Sequence, residues 1–110
     1  MKIYISGKIT GFTFEEAKKR FSLVEKQITD AGHVAVNPIK LNHDHDQEWT
    51  SFMRVDIAEL VTCDALFLQK NWSVSKGACI EHNLAQQLGI PCYFEHCTSP
   101  SGIPHLKTAE

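Results

Sequence analysis

At 110 residues and 12.4 kDa the chain is shorter than the roughly 150 residues of an average domain, so it reads as a single domain, with a core over about 2–94 and a tail over 95–110. Eleven Lys and Arg against thirteen Asp and Glu leave a net charge of −2, and 43% hydrophobic with 22% charged residues is a globular composition; no basic excess advertises a nucleic-acid polymer as partner. No apolar run is long enough for a membrane span or signal peptide, and Cys63, Cys79, Cys92 and Cys97 form no CxxC pair, so a cytoplasmic protein with reduced thiols and no membrane partner is expected.

Residues 2–6 are β-branched and aromatic, and the glycine-bearing GKITG that follows reads as a tight loop after a first strand. Thr13 stands three residues before Glu16, a capping-box pattern, and opens a helix with Ala17, Phe21, Val24, Ile28 and Ala31 on its apolar stripe, ending at Gly32. HVAVNP is a second strand stopped by Pro38, and strand-helix-strand implies that the two strands run parallel. The polar, aperiodic stretch from Ile39 to Glu48 reads as a loop. From about Thr50, Met53, Ile57, Leu60 and Val61 recur at helical spacing and lead into the short apolar strand ALFLQ. KNWSVS is a second strand-to-helix loop, in which Ser75 caps a third helix buried through Ala78, Leu84, Ala85 and Leu88. CYF is the fourth strand, and the tail from Glu95 is either mobile or ordered by docking. The expected fold is α/β: one doubly wound, flavodoxin-like or Rossmann-like parallel sheet of four to five strands flanked by helices. Ligands of such sheets sit at the carboxyl ends of the strands, which singles out the loops at 7–13 and 70–75.

Glu81 lies with the apolar stripe of the third helix, three residues after Ala78 and four before Ala85. A carboxylate on a core-facing position is costly unless paired or functional; the plain alternative is a half-buried Glu snorkelling at the helix edge or bonded to a neighbouring strand. Asp56 stands at the margin of the second helix's stripe and can converge with Glu81, or else pair at the surface with Arg54 or Lys76. Two converging carboxyl groups are what glycosidic-bond chemistry needs, one to attack or stabilise the sugar carbon and one to manage protons. Ser6, Gly7, Lys8, Thr10 and Gly11 offer N–H groups and side-chain donors to an anion, or form a simple turn. Ser75, Lys76 and Gly77 make a second candidate anion site, and Trp72 either stacks on a nucleobase or covers the sheet edge or a dimer contact. His43-Asp44-His45-Asp46 has a metal-like look but lacks the second pair of ligands a closed site needs, so neither metal nor cofactor is expected.

Taken together, YISG near the start, VDIAELVTCDALFL and SKGACIEHNLAQQLGIP resemble the nucleoside 2-deoxyribosyltransferase superfamily over about residues 2–94. That group includes the 2′-deoxynucleoside 5′-phosphate N-hydrolases and small bacterial and phage relatives, and the chain resembles those small relatives most. The resemblance implies that Glu81 is the nucleophile forming a covalent deoxyribosyl-enzyme, that Asp56 is the acid/base or sugar-positioning group, and that Tyr4 and Gly7 belong to the site. It also implies a homodimer or higher homo-oligomer whose C-terminal region completes a neighbouring site, with Ser101 or His105 as the candidates here. A serine at position 75 resembles the nucleotide hydrolases, where it holds the 5′-phosphate; the transferases acting on free nucleosides carry an aspartate. Two departures stand out: GKITGF replaces a GSIRGG-like loop, so Lys8 and Thr10 stand in place of an arginine, and His82 is bulkier than the small residue expected after the glutamate. The leading expectation is an N-glycosidase cleaving 2′-deoxynucleoside 5′-monophosphates, with Glu81 and Asp56 within about 10 Å on one cleft and base transfer as a side reaction. The alternatives are a non-catalytic nucleotide-binding or sequestering protein, a deoxyribosyltransferase on free nucleosides, and a glycohydrolase of NAD.

Overall fold

Alternating strand and helix signals fold into β1 (Lys2–Ser6), α1 (Phe14–Asp30), β2 (Val34–Val36), α2 (Trp49–Leu60), β3 (Ala65–Leu68), α3 (Lys76–Gln87) and β4 (Cys92–Phe94) in a computed structural model that describes residues 1–95. The strands form a four-stranded sheet in the order β2-β1-β3-β4, every pairing parallel, with Ile3 of β1 aligned to Ala35 on one side and Ala65 on the other. The order reverses at β1, which places the crevice of this doubly wound sheet between β1 and β3, as expected. The fifth strand allowed by the sequence is not present among the described residues, and the proposed tail residues Ser101 and His105 lie outside them.

Period-2 alternation along β1 sorts its side chains between two cores. Ile3 and Ile5 face α1 and pack with Phe21, Val24, Ile28 and Phe67. Tyr4 faces α2 and α3 and packs with Leu60, Leu66, Leu68 and Ala85. Full burial of side chains such as Phe21 and Ile28 contributes about 1.5–3 kcal/mol each, which ties α1 to the sheet. The capping box of α1 forms as read: Thr13 Oγ accepts from the Glu16 N–H at 3.1 Å and Glu16 Oε1 accepts from the Thr13 N–H at 2.8 Å.

Three stripe assignments shift. Ala31 is the exposed C-cap of α1, one residue beyond the turn that packs. In α2 the buried residues are Met53, Asp56 and Leu60, while Ile57 is half-buried and Val61, the C-cap, is 47% exposed. The helix starts at Trp49 and is rotated so that Trp49, Phe52, Met53 and Asp56, spaced three, one and three apart, line one cleft-facing side. Leu88 is likewise exposed as the C-cap of α3, and Leu84 is half-buried. Short 3-10 turns at Pro38–Lys40 and Trp72–Val74 occupy parts of the two segments read as loops.

Candidate active site

A cleft of about 1180 Å³ opens at the carboxyl ends of β1 and β3. Tyr4 and Ser6, two residues apart on β1, point from the same face of the sheet toward α3. There they meet Glu81, one and a half turns into α3, whose carboxylate takes one hydrogen bond on each oxygen: from the Tyr4 hydroxyl to Oε2 at 2.6 Å and from Ser6 Oγ to Oε1 at 2.7 Å. Glu81 is only 5% exposed, so it does not snorkel at the helix edge; its bonds to Tyr4 and Ser6 are the tie to a neighbouring strand that the plain alternative allowed. Burial pushes its carboxyl up to about 7; the Tyr4 and Ser6 hydrogen bonds work against that rise, and the nearby Asp56 charge adds to it. Burial and the adjacent acids hold the Tyr4 phenol well above its usual range, so it stays a donor to Glu81.

Asp56 comes from the cleft side of α2 and is 8% exposed. Its surface pairing with Arg54 or Lys76 is not formed; the nearest cation-forming group is His43, with Nε2 3.5 Å from Asp56 Oδ1. That distance is too long for a hydrogen bond, and among the described residues Oδ1 has no hydrogen-bond partner. Burial pushes the Asp56 carboxyl up to about 7, opposed by His45. The two carboxyl groups line one cleft, and the Asp56 charge adds to the rise at Glu81.

The anion-binding candidates gather around the same opening. Gly7, Lys8, Thr10 and Gly11 line it from the loop after β1, and Ser75, Lys76 and Gly77 line it from the start of α3. Ser75 Oγ caps α3 by accepting the Ala78 N–H at 3.2 Å, which leaves its hydroxyl proton free to donate. Lys76 Nζ lies 4.5 Å from the Trp49 ring centroid, a cation–π contact at the rim. Close approach favours glycine at position 7, where a Cβ would stand 2.6 Å from Gln69 Nε2, and a Cβ on Gly77 would press on Met53 Sδ at 3.1 Å, where α3 meets α2.

Trp72 is corrected. The 3-10 turn carries its indole away from the cleft, onto His82 at 4.6 Å and Phe94 at 5.7 Å between ring centroids, so it closes the far side of α3 against β4. His82 packs in that same cluster and does not line the cleft. The aromatic and apolar walls are instead Phe14, Trp49, Phe52 and Val74, which the sequence reading did not single out. Nor did it place His43, which lines the cleft beside Asp56 from the loop after β2. No group of three His, Cys, Asp or Glu among the described residues is placed to hold a metal ion.

The buried carboxyls carry a cost that depends on pH. Both have folded values near 7 against ordinary values near 4, so the folded chain binds these protons more tightly than the unfolded chain. The stabilisation is complete below about pH 4 and disappears as pH rises through 7. Thermal denaturation is expected to show Tm falling between pH 5 and 8. Glu81→Gln should flatten that fall and recover about 3 kcal/mol at pH 8, because it removes a carboxyl that burial pushes up to about 7.

No helix among the described residues is long and apolar enough to cross a membrane. No curated relative matches the sequence. Among solved structures, a 2-deoxyribosyltransferase from the psychrotolerant bacterium Bacillus psychrosaccharolyticus superposes with a TM-score of 0.65 at 22% identity, over 86% of this chain and 71% of that one. The likeness to that 2-deoxyribosyltransferase is one of fold, an α/β domain with a parallel sheet flanked by helices. A family model spans the sheet, all three helices and both cleft loops, and the chain belongs to that family, described as Domain of unknown function (DUF4406), over residues 1–94.

Proposed function

We propose that the protein is an N-glycosidase that cleaves 2′-deoxynucleoside 5′-monophosphates through a covalent deoxyribosyl ester on Glu81. The observation that carries this reading is the state of the two carboxyl groups. Glu81 is buried, oriented by two donors and left without a cation, while Asp56 lines the same cleft and keeps a buried oxygen without a hydrogen-bond partner. Such a pair is poorly explained as structural, because each group destabilises the fold at neutral pH. It suits a displacement at an anomeric carbon.

In the proposed reaction, a Glu81 oxygen forms a bond to C1′ as the C1′–N bond breaks, and the electron pair leaves with the base. The Asp56 proton passes to the departing nitrogen. Water then attacks C1′, gives its proton to Asp56, and the ester bond to Glu81 breaks, which restores both groups. A second base in place of water would make the same site a transferase. The fold likeness to a 2-deoxyribosyltransferase supports this class of chemistry. The 5′-phosphate is assigned to Ser75, the free N–H groups at the start of α3, and Lys8 or Lys76 at the rim. The walls formed by Phe14, Trp49 and Phe52 suit a flat base.

The test is chromatographic detection of free base from deoxynucleoside monophosphates, deoxynucleosides, ribonucleotides and NAD. Release from the monophosphates is the expected result. Binding without release from any of them would replace the enzyme by a nucleotide-sequestering protein. Ser75→Asp should lower kcat/KM for the monophosphates by at least about 100-fold and change that for free deoxynucleosides little, because a carboxylate about 4 Å from a phosphate costs several kcal/mol at an effective dielectric near 20. An equal effect on both substrates would remove Ser75 from the phosphate site.

A further inference from the structure

Each oxygen of the Glu81 carboxylate carries its own donor, yet only one of the two can bond to C1′. The donors differ in ways that decide between them. Tyr4 reaches Oε2 at 2.6 Å with the phenol of a ring that is fully buried among Leu60, Leu66, Leu68 and Ala85, so its O–H is held on that oxygen. Ser6 reaches Oε1 at 2.7 Å from two residues further along β1, about 6–7 Å nearer the carboxyl end where the cleft opens. Its hydroxyl hydrogen is a rotor that turns away without any movement of the chain. The sequence grouped Ser6 with the anion-binding loop; in the fold its one hydroxyl proton goes to Glu81 instead.

We propose that Oε1 is the oxygen that bonds C1′, that Oε2 becomes the carbonyl oxygen of the ester under the Tyr4 donor, and that Ser6 is the positioning residue which releases Oε1 and takes it back. The assignment rests on the glycosidase reading and separates its two half-reactions. As Oε1 bonds to C1′, the C1′–N electron pair leaves with the base and Oε1 loses its negative charge. It is then an ester oxygen, a poor acceptor, so the Ser6 hydrogen bond is given up, while Oε2 as a carbonyl oxygen keeps Tyr4. In the second half water bonds to C1′ and yields a proton to Asp56, the C1′–Oε1 electron pair returns to Oε1, and Ser6 donates to the charge that reappears. Ser6 therefore holds back formation of the ester and assists its breakdown, whereas Tyr4 keeps an acceptor throughout. The other ionisable groups around Glu81 are Asp56 of α2, with His43 beside it from the loop after β2, and Lys76 at the start of its own helix.

Rapid-quench base release and intact mass, which reads the fraction of enzyme carrying deoxyribose phosphate, compare wild type, Ser6→Ala and Tyr4→Phe on one deoxynucleoside monophosphate. In Ser6→Ala breakdown of the ester should slow by about 10-fold, the loss of one charge-assisted hydrogen bond, while the first turnover does not slow. A burst of base then precedes a slower steady state, the loaded fraction rises, and kcat and KM fall together with kcat/KM unchanged. Tyr4→Phe should slow the first turnover and leave the loaded fraction no higher than in wild type. Carboxyl-carbon NMR of the free protein reads the same hydrogen bond without substrate. The pH at which Glu81 ionises should rise by about one unit in Ser6→Ala and return toward wild type in Ser6→Thr, which keeps the hydroxyl. A loaded fraction that stays at the wild-type level in Ser6→Ala, or that rises in Tyr4→Phe instead, overturns the assignment of the two oxygens, as does a Glu81 titration that Ser6→Ala leaves in place. If no nucleotide releases base while the titration still moves, the glycosidase reading fails and takes the ester with it, and Ser6 is left as the residue that holds the Glu81 charge.

Discussion

Replacing Glu81 by Gln is expected to abolish base release, with a fall in rate of about 10³-fold or more, while leaving nucleotide binding within a few-fold. The substitution keeps the shape of the side chain and a carbonyl oxygen to accept from Tyr4 or Ser6, so the wall of the cleft is preserved. It removes the oxygen anion that would bond to C1′. Intact-mass analysis after a rapid quench should show wild type heavier by one deoxyribose phosphate and the variant unchanged. The same variant should be more stable than wild type at pH 8, because it no longer buries a carboxyl pushed up to about 7. Lost activity together with gained stability is the signature of a group kept for chemistry. A variant that is both active and destabilised would show that Glu81 is a structural acceptor for Tyr4 and Ser6.

Much of this site was legible because helices and strands have periods. Glu81 betrayed itself by sharing a face with Ala78 and Ala85, and the capping box at Thr13 and the cap at Ser75 fixed where α1 and α3 begin. The resemblance to the deoxyribosyltransferases supplied Tyr4, and period 2 along β1 explains why Ser6 joins it on Glu81. The reading of α2 was rotated because that helix is apolar on two sides. Met53, Ile57, Leu60 and Val61 satisfy the spacing rule as well as Met53, Asp56 and Leu60 do, and only packing against α3 and the sheet selects between them. Asp56 therefore read as marginal when it is buried. Trp72 and His43 failed for a different reason. Both lie in segments without regular period, where the direction of a side chain is set by tertiary contacts: the Phe94 and His82 rings for one, the Pro38 carbonyl and Phe52 for the other.

Asp56→Asn should lower base release by about 10²–10⁴-fold for ordinary purine and pyrimidine nucleotides, the range of a lost general acid. The sign of its pH dependence follows from the two carboxyls. Both are pushed up to about 7, and with one proton between them it resides on Asp56, whose Oδ1 accepts nothing, while two hydrogen bonds favour the charged form of Glu81. Below neutrality Glu81 gains a proton and loses its nucleophilic form; above it Asp56 loses the proton the base requires. Wild type should give a bell-shaped profile with its maximum near pH 7, and Asp56→Asn should keep the acid limb and lose the alkaline one. A substrate with an N7-methylated purine separates proton donation from sugar positioning, because its base departs as a neutral molecule without being protonated. On that substrate the variant should regain all but about 10-fold of the wild-type rate, the residue left for binding contacts that Asn cannot reproduce. An equal loss on methylated and ordinary nucleotides would mean that the Asp56 oxygen holds the sugar rather than the proton, and the hydrogen on the leaving base would then have to come from the His43 edge of the cleft.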